Sequence, residues 1–502
     1  MQKLKIFFLI IFFYGVFGLV KNSFAATINI ADYGDGDCSL ENAQSAYDAA
    51  SSGDTIVFPA FTVCTWSSAF TVSKALTISG NNTNLISDGA MSNGFFNITG
   101  FTASSLVRVS GFTFQMMDWT PATAVYVHDM QGGVDGGNIR IDNNTFYYGN
   151  KAIVFDHIKG LIDHNYFHNS IQGVVISAGS RTNADAAWVS LAAGTVDAIF
   201  IEDNHFVSDA NYTLGYTQEQ IGTNNGGKLV VRYNEFDCDN VPDGLETCTP
   251  FMAHGSADGG CGGAGYWEAS SCQRRGQSVI EFYNNIEHGK RIDFMFISRG
   301  SANLVYNNSI SSIVSNNPRI YFSEEEYISD NWSIHRTAWP AEDQVHNTFV
   351  WDNIYAGHDF NDGLVGSIGT YPTNYDCTGN GVPMACCTGS GTGTCGDELV
   401  TTSNPFLRQD RDYFLHAPCA AGDTTDGHGN VCTHGKETFI GQNGASASYP
   451  TDDSVYPNAG DMIFSATGDN AYVDYTPYIY PHPLQGETDI TPPVSPSGLS
   501  VD

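Results

Sequence analysis

Hydrophobic and polar positions along this chain repeat one short phrase. It runs apolar, any residue, apolar, two polar residues, Asn, any residue, then an aromatic or aliphatic one. The phrase reads IRIDNNTF at Ile139–Phe146 and returns as LIDHNYF ending at Phe167, IFIEDNHF ending at Phe206 and LVVRYNEF ending at Phe236. Looser copies follow in VIEFYNNI, LVYNNSI and VHNTF. Superposing the copies sets Asn144, Asn165, Asn204, Asn234, Asn308 and Asn347 in one column, with Asn284 or Asn285 joining them. Two residues on, Phe146, Phe167, Phe206, Phe236, Ile310 and Phe349 form a second column. Each copy predicts a short strand entering a turn, and recurrence every few tens of residues predicts a solenoid. In such a turn Asn tolerates left-handed φ and bonds its equivalents in adjacent passes, so the column reads as structural, not catalytic.

Other segments extend the picture. Ser39 is placed to N-cap an amphipathic helix over Leu40–Ala50, with Leu40, Ala43, Ala46, Tyr47 and Ala50 on one face. Gly53-Asp54 makes a turn, TIVFP starts the first strand, and ALTISG, LVRVSGFTF, AIVFDHI and GVVISAG read as further short strands. Helix, turn and strand together resemble the N-terminal cap of secreted right-handed parallel β-helices of the pectate-lyase-like superfamily. That resemblance implies an all-β, right-handed parallel β-helix over 54–435, capped by 26–53 and by 436–487. A cap answers a physical need, since a solenoid end exposes apolar side chains and unpaired strand edges. NPFLRQDRDYFLHAPCAAG resembles the closing stretch of bacterial β-helix proteins, and DYTPYIYPHPLQ looks like an edge strand or cap. DITPPVSPSGLSVD, within 488–502, reads as a linker into a fibronectin type III-like module.

Composition narrows the compartment and the partners. Lys3 and Lys5, the apolar run Ile6–Val20 and the small residues around Ala25 make residues 1–25 a secretory signal, too short to span a bilayer. An extracellular or cell-surface bacterial protein without a transmembrane segment is expected. The formal charge is −33, and losing Lys3, Lys5 and Lys21 makes the mature chain three charges more negative. Nucleic acid is excluded as a partner, because phosphate binding needs clustered Lys and Arg. Divalent cations suit such acidity. The 12 cysteines favour disulfides in a secreted chain. Neighbours in sequence suggest Cys38 with Cys64, Cys238 with Cys248, Cys261 with Cys272 and Cys419 with Cys432. Cys377, Cys386, Cys387 and Cys395 would pair among themselves, with a zinc site as the competing reading.

No phosphate loop, H-E-x-x-H or G-x-S-x-G occurs. Asp243-Gly244-Leu245-Glu246, followed by Ile297-Ser298-Arg299-Gly300, resembles the DGxE and LRHG elements of the alginate-lyase and chondroitin-lyase β-helices. The resemblance implies calcium on Asp243 and Glu246, with Arg299 where a uronate loses its C5 proton. This chain departs from the pattern: Ser298 precedes the Arg, Gly300 stands for the His, and the upstream Lys is replaced by Arg274 or Arg275. If Arg291–Arg299 is one strand, Arg291, Asp293, Met295, Ile297 and Arg299 share a face. The candidate catalytic residues are therefore Arg299, Arg275, Arg291 and His254. Arg274, Lys290, Asp293 and Trp267 are the candidate substrate contacts. Only 21 Lys and Arg occur in the whole chain, and five crowd between Arg274 and Arg299. Plainer readings stand beside these. Arg299 also fits a turn that bonds neighbouring carbonyls, and His254 a turn residue. His157, His164 and His168 cluster without metal-ligand spacing. Asp142, Asp163 and Glu202 form an outward acidic stripe, open to calcium or simply solvated.

Three classes of function remain: a polysaccharide lyase or hydrolase, a glycan-binding adhesin, and a structural surface or filament subunit. Fold alone does not choose among them. Secretion, aromatic content and the arginine cluster favour contact with a polysaccharide or cell-surface glycan.

Overall fold

The computed structural model describes residues 25–88, 91, 94–100, 106–116, 123–128, 138–156, 159–177, 193–196, 198–209, 218–224, 228–238, 248–253, 279–289, 294–299, 301–310, 319–323, 345–355, 358–359, 367–370, 413–419, 424–432, 439–440, 446–447 and 475–486. Among these, the one α-helix is Leu40–Ala49, and nearly everything else is strand or turn. Ser39 Oγ accepts the Asn42 N–H at 3.3 Å, as its capping role requires. Ala43, Ala46 and Tyr47 are buried, and Tyr47 meets Phe70 edge to face at a centroid distance of 5.4 Å. Lys74 Nζ donates to the carbonyls of Tyr47 and Ala50, supplying partners and positive charge at the helix C-terminus. Asp54 accepts from Ala26 N and Ser51 N and so ties the first strand to the turn.

Beyond the helix, apart from His358–Asp359 and the antiparallel pair Phe439–Ile440 and Ser446–Ala447, the described strands fall into three rows, each pairing in parallel within its own row. The first row includes Ile139–Asp142, Gly160–Asp163, Ile199–Glu202, Lys228–Arg232, Val279–Tyr283, Ser301–Tyr306 and Val345–Trp351. After a turn comes the second row, with Thr145–Tyr148, Tyr166–His168, His205–Val207, Glu235–Cys238, Ile286–Gly289, Ser309–Ile310 and Ile354–Tyr355. The third row holds Phe70–Val72, Phe96–Thr99, Thr123–His128, Lys151–Phe155, Gln172–Ser177, Gln218–Asn224, Cys248–Ala253, Phe294–Arg299, Arg319–Ser323 and Ser367–Thr370. Strands that pair in parallel pass after pass form an all-β parallel architecture, as the recurring phrase predicts.

The turn between the first two rows is where the phrase acts. Asn165 donates from both its backbone N and its Nδ2 to Asn204 Oδ1, each at 3.0 Å. The same double bond links Asn144 to Asn165, Asn204 to Asn234, Asn234 to Asn285, Asn285 to Asn308, and Asn308 to Asn353. Nδ2 also bonds a carbonyl, Ile141 O for Asn165 and Ile162 O for Asn204, so the buried amides are partnered. Three expectations are adjusted. Asn285, not Asn284, joins the ladder. Asn353 closes it in place of Asn347, so Phe349 belongs to the first row, opposite Leu304. The left-handed φ sits one residue earlier, at Asn143, His164, Asp203, Tyr233, Asn284, Asn307 and Asp352. The ladder Asn needs its amide in one fixed place, and its predecessor takes the sharp bend.

Inside, Phe114, Phe146, Phe167, Phe206 and Phe236 stack face to face with centroids 4.6–4.9 Å apart. The next member of the column is Glu287, with Ile310 beyond it. Glu287 is fully buried, and neither carboxyl oxygen has a hydrogen-bond partner among the described residues. Disulfides Cys38–Cys64, Cys238–Cys248 and Cys419–Cys432 are formed as expected. Cys261, Cys272, Cys377, Cys386, Cys387 and Cys395 lie outside the described residues. No described helix is long and apolar enough to cross a membrane.

Candidate functional site

Each row has an outward flank, and the three flanks differ in chemistry. The first-row flank carries the supposed acidic stripe, and it is neither solvated nor open to calcium. Asp142, Asp163 and Glu202 are fully buried and committed to arginine. Arg140 Nε and Nη2 donate to Asp163 at 2.9 and 2.7 Å, Arg232 Nε donates to Glu202 at 2.6 Å, and Arg108 Nε donates to Asp142 at 2.7 Å. Burial pushes the Asp142 and Glu202 carboxyls above their ordinary values, against the pull of Arg108 and Arg232.

The cover over this flank is the Tyr- and Pro-rich segment 475–486. Arg140 Nη1 donates to the carbonyls of Leu484 and Gln485 at 2.9 and 3.0 Å, and Arg232 to those of Tyr478 and Ile479 at 2.6 and 2.9 Å. Glu202 in turn accepts from His482 N and Gln485 Nε2. Tyr478 and Leu484 pack on Leu161, Phe200 and Val230, while Tyr475 packs beside Leu304, Phe349 and Trp351. The segment is therefore a strap along a flank and contains no strand, where an edge strand or end cap was expected. The ion pairs are structural: they bind the strap.

The third-row flank is where the sequence put the chemistry. Arg299 is the last residue of Phe294–Arg299, its backbone paired with Ser323. Arg291, Asp293, Lys290, His254, Trp267, Arg274, Arg275, Asp243 and Glu246 lie outside the described residues. One expectation is corrected by the register. The strand begins at Phe294 with an irregularity between Phe294 and Phe296, and Met295 and Phe296 both belong to the core cluster. Strict alternation from residue 291 to 299 is thus broken, so Met295 and Ile297 do not share a face. Two observations bear on the rest. The Cys238–Cys248 disulfide closes a short loop whose sequence contains Asp243 and Glu246. Ala253, the last residue of its strand, pairs with Ser298, the residue before Arg299.

The second-row flank holds residues that the sequence reading passed over. Its two outward columns are Thr145, Tyr166, His205, Glu235, Ile286 and Tyr147, His168, Val207, Asp237, His288. His168 Nε2 lies 2.7 Å from Asp209, and His288 Nε2 lies 2.9 Å from Glu235 Oε1. His205 stands edge-on to Tyr166 at 5.3 Å. Burial holds the His205 imidazole below its ordinary value, opposed by Glu235 and Asp237, and burial raises the Tyr147 phenol beside Tyr166 and Tyr148. The signal was present in the phrase itself, in the residues on either side of the column phenylalanine. His164, grouped with His168 by sequence, is instead buried on the other side of the turn, with Nδ1 2.9 Å from Asp163. His157 lies outside the described residues.

Among the described residues, one His and Cys group draws its ligand atoms together: His416, Cys419 and Cys432. The two sulfurs are bonded to each other, so this is a disulfide beside a histidine and not a metal centre. No protein-family model matches the chain, and no curated protein is significantly similar to it.

Proposed function

We propose that this chain is a secreted right-handed parallel β-helix that cleaves a uronic-acid polysaccharide by β-elimination on its third-row flank. The observation that supports the reading is the register of Ala253 with Ser298, the residues that directly precede His254 and Arg299 in the sequence. Support comes also from the disulfide-closed loop bearing Asp243 and Glu246 at the entry to the same row. In elimination the C5–H bond breaks, its electrons form the C4–C5 double bond, and the C4–O bond to the next sugar breaks as that oxygen takes a proton. Arg299 or Arg275, in its neutral form, contacts the uronate and receives the C5 proton, with His254 as the alternative base, and water supplies the proton taken by the leaving oxygen. Arg274, Lys290 and Arg291 offset the field of an acidic protein so that an anionic chain can approach. Carboxylate oxygens such as those of Asp243 and Glu246 suit calcium, which when bound would neutralise the uronate and make its α-proton more acidic.

The reading is tested by assaying uronate polymers for the absorbance of the unsaturated product, with calcium and with chelator. Turnover should require calcium and vanish in Arg299→Ala while the melting temperature stays within a few degrees. Undiminished turnover in that variant contradicts the assignment. Retained glycan binding with no product on any polymer turns the conclusion to a binding protein.

A further inference from the structure

Ala26, the residue before the strand Thr27–Asn29, turns its backbone nitrogen to a carboxylate. We propose that a signal peptidase removes residues 1–25 at the Ala25–Ala26 bond, and that the new Ala26 α-ammonium forms an ion pair with Asp54 that locks the N-terminal cap. This lock presupposes the secretory reading of residues 1–25 and is independent of polysaccharide cleavage. Two separate observations select the same bond. In the sequence, Ser23 and Ala25 put small residues third and first before the cut, as a signal peptidase requires. In the fold, Ala26 N lies 2.7 Å from Asp54 Oδ1, while Ala26 O accepts Thr55 N at 2.8 Å. The register of Thr27 with Thr55 fixes this placement, so a cut one residue earlier or later puts the terminal nitrogen elsewhere.

Asp54 lacks a counter-charge. The residue is only 7% exposed, and its two oxygens accept from Ala26 N and Ser51 N at 2.7 and 2.8 Å. Those two N–H groups hold its carboxyl below the ordinary value, so it is ionised in the folded protein. Among the described residues no lysine, arginine or histidine pairs with it. Lys74, beside the C-terminus of the capping helix, donates instead to the carbonyls of Tyr47 and Ala50, and Asp48 on that helix accepts from Gln44. Buried carboxylates are normally paired with a cation, and cleavage before Ala26 supplies one.

Hydrolysis breaks the C–N bond between Ala25 and Ala26. Water gives its hydroxyl to the Ala25 carbonyl carbon and a hydrogen to the Ala26 nitrogen; the amine then takes one further proton and the new carboxyl loses one. A neutral N–H donor on Asp54 thereby becomes a charge-assisted one, which is a stronger class of bond. Ala25 and Ala26 are exposed, so the remaining ammonium hydrogens are left to water. Asp54 also holds Ser51, just past the helix Leu40–Ala49, so one ion pair joins the chain start, the first strand and the capping helix. In the unprocessed chain that tie is a single neutral hydrogen bond from Ala26.

The experiment exports the full chain and compares it with a chain sent behind a foreign leader that leaves Ser23-Phe24-Ala25 in place, each with and without Asp54→Asn. Mass spectrometry reads the N-terminal peptide, and the pH dependence of its acylation titrates the α-amino group. The parent should begin at Ala26, with an α-amino group that titrates above the ordinary range of about 7.7–8.0. A group raised in the folded state stabilises fully below its unfolded value and loses that effect as pH climbs through the folded one. The parent should therefore melt a few degrees above the extended chain at about pH 6, and the gap should close toward about pH 10. In the Asp54→Asn background the two chains should melt alike; if that variant does not fold, the α-amino titration of the parent decides. A different N-terminus, an α-amino group in its ordinary range, or a gap that persists at high pH or without Asp54 would each overturn the proposal. None of these readouts involves polysaccharide turnover, so the lock and the elimination stand or fall separately.

Discussion

Replacing Glu287 with Leu should stabilise the protein, and should do so more strongly as pH rises. Glu287 occupies a column otherwise made of Phe236 on one side and Ile310 on the other, with no partner for either oxygen among the described residues. Burial drives its carboxyl well above the ordinary value of 4.5, so the folded chain keeps the proton that the unfolded chain releases. Even neutral, an unbonded buried carboxyl costs about 1–3 kcal/mol, and Leu removes that cost while filling similar space. The pH term adds to it. Above the unfolded value and below the folded one, the wild type loses about 1.4 kcal/mol per pH unit that the Leu variant does not lose. Stability from this group is thus fully present in acid and is lost as pH climbs through the folded value. Urea unfolding of both proteins at several pH values reads the gap between them. Glu287→Gln is the control, since it keeps a buried polar group but cannot titrate, so its gap to the Leu variant should stay flat. A wild-type gap that does not widen with pH, or a Leu variant less stable than the parent, would refute the reasoning.

The strap should respond in the opposite sense. His482 is held down to about 4, chiefly by burial and then by Arg232, so it is neutral within the strap. Its stabilising contribution is complete above the usual imidazole value and is lost as pH falls toward 4; protease cleavage within 475–486 should accelerate over that window. Arg232→Met should leave Glu202 buried without its ion pair at a cost of about 3–5 kcal/mol, seen as early strap release in hydrogen exchange while the third row stays protected. Asn204→Ala should orphan the buried Asn165 N–H, while Asn165 Nδ2 keeps Ile141 O, costing about 1–3 kcal/mol and lowering the melting temperature; an unchanged transition would remove the ladder from the list of stabilising devices.

What could be read from sequence was whatever repeats. The Asn ladder and the stacked phenylalanines recur at fixed spacing because each pass must present the same amide and the same ring to the next. The last copy was misregistered because VHNTF and WDNIY both fit the phrase, and only pairing with Asn308 selects Asn353. Long-range partners left no such trace. Nothing in the row of Asp142, Asp163 and Glu202 announces that a segment almost three hundred residues later will cover it. The alternation of sign, with Arg140 in the strand of Asp142 and Arg232 at the register position of Glu202 in the next pass, was the available clue that these acids are paired. The second-row histidines were hidden for another reason: His168 and His205 flank a column phenylalanine in different copies and His288 follows Glu287, so their shared flank emerges only when the copies are stacked. Arg291 to Arg299 looked like one alternating strand because a bulge at Met295 is invisible to a period-two reading.

Mass analysis of the products from a depolymerised uronate glycan tests the elimination directly. Elimination yields new non-reducing ends lighter by one water than hydrolysis would give, and this lighter series should appear with the parent protein and calcium and disappear in Arg299→Ala. Products carrying the added water would assign hydrolysis instead, and an intact polymer across the panel would contradict catalysis by this chain.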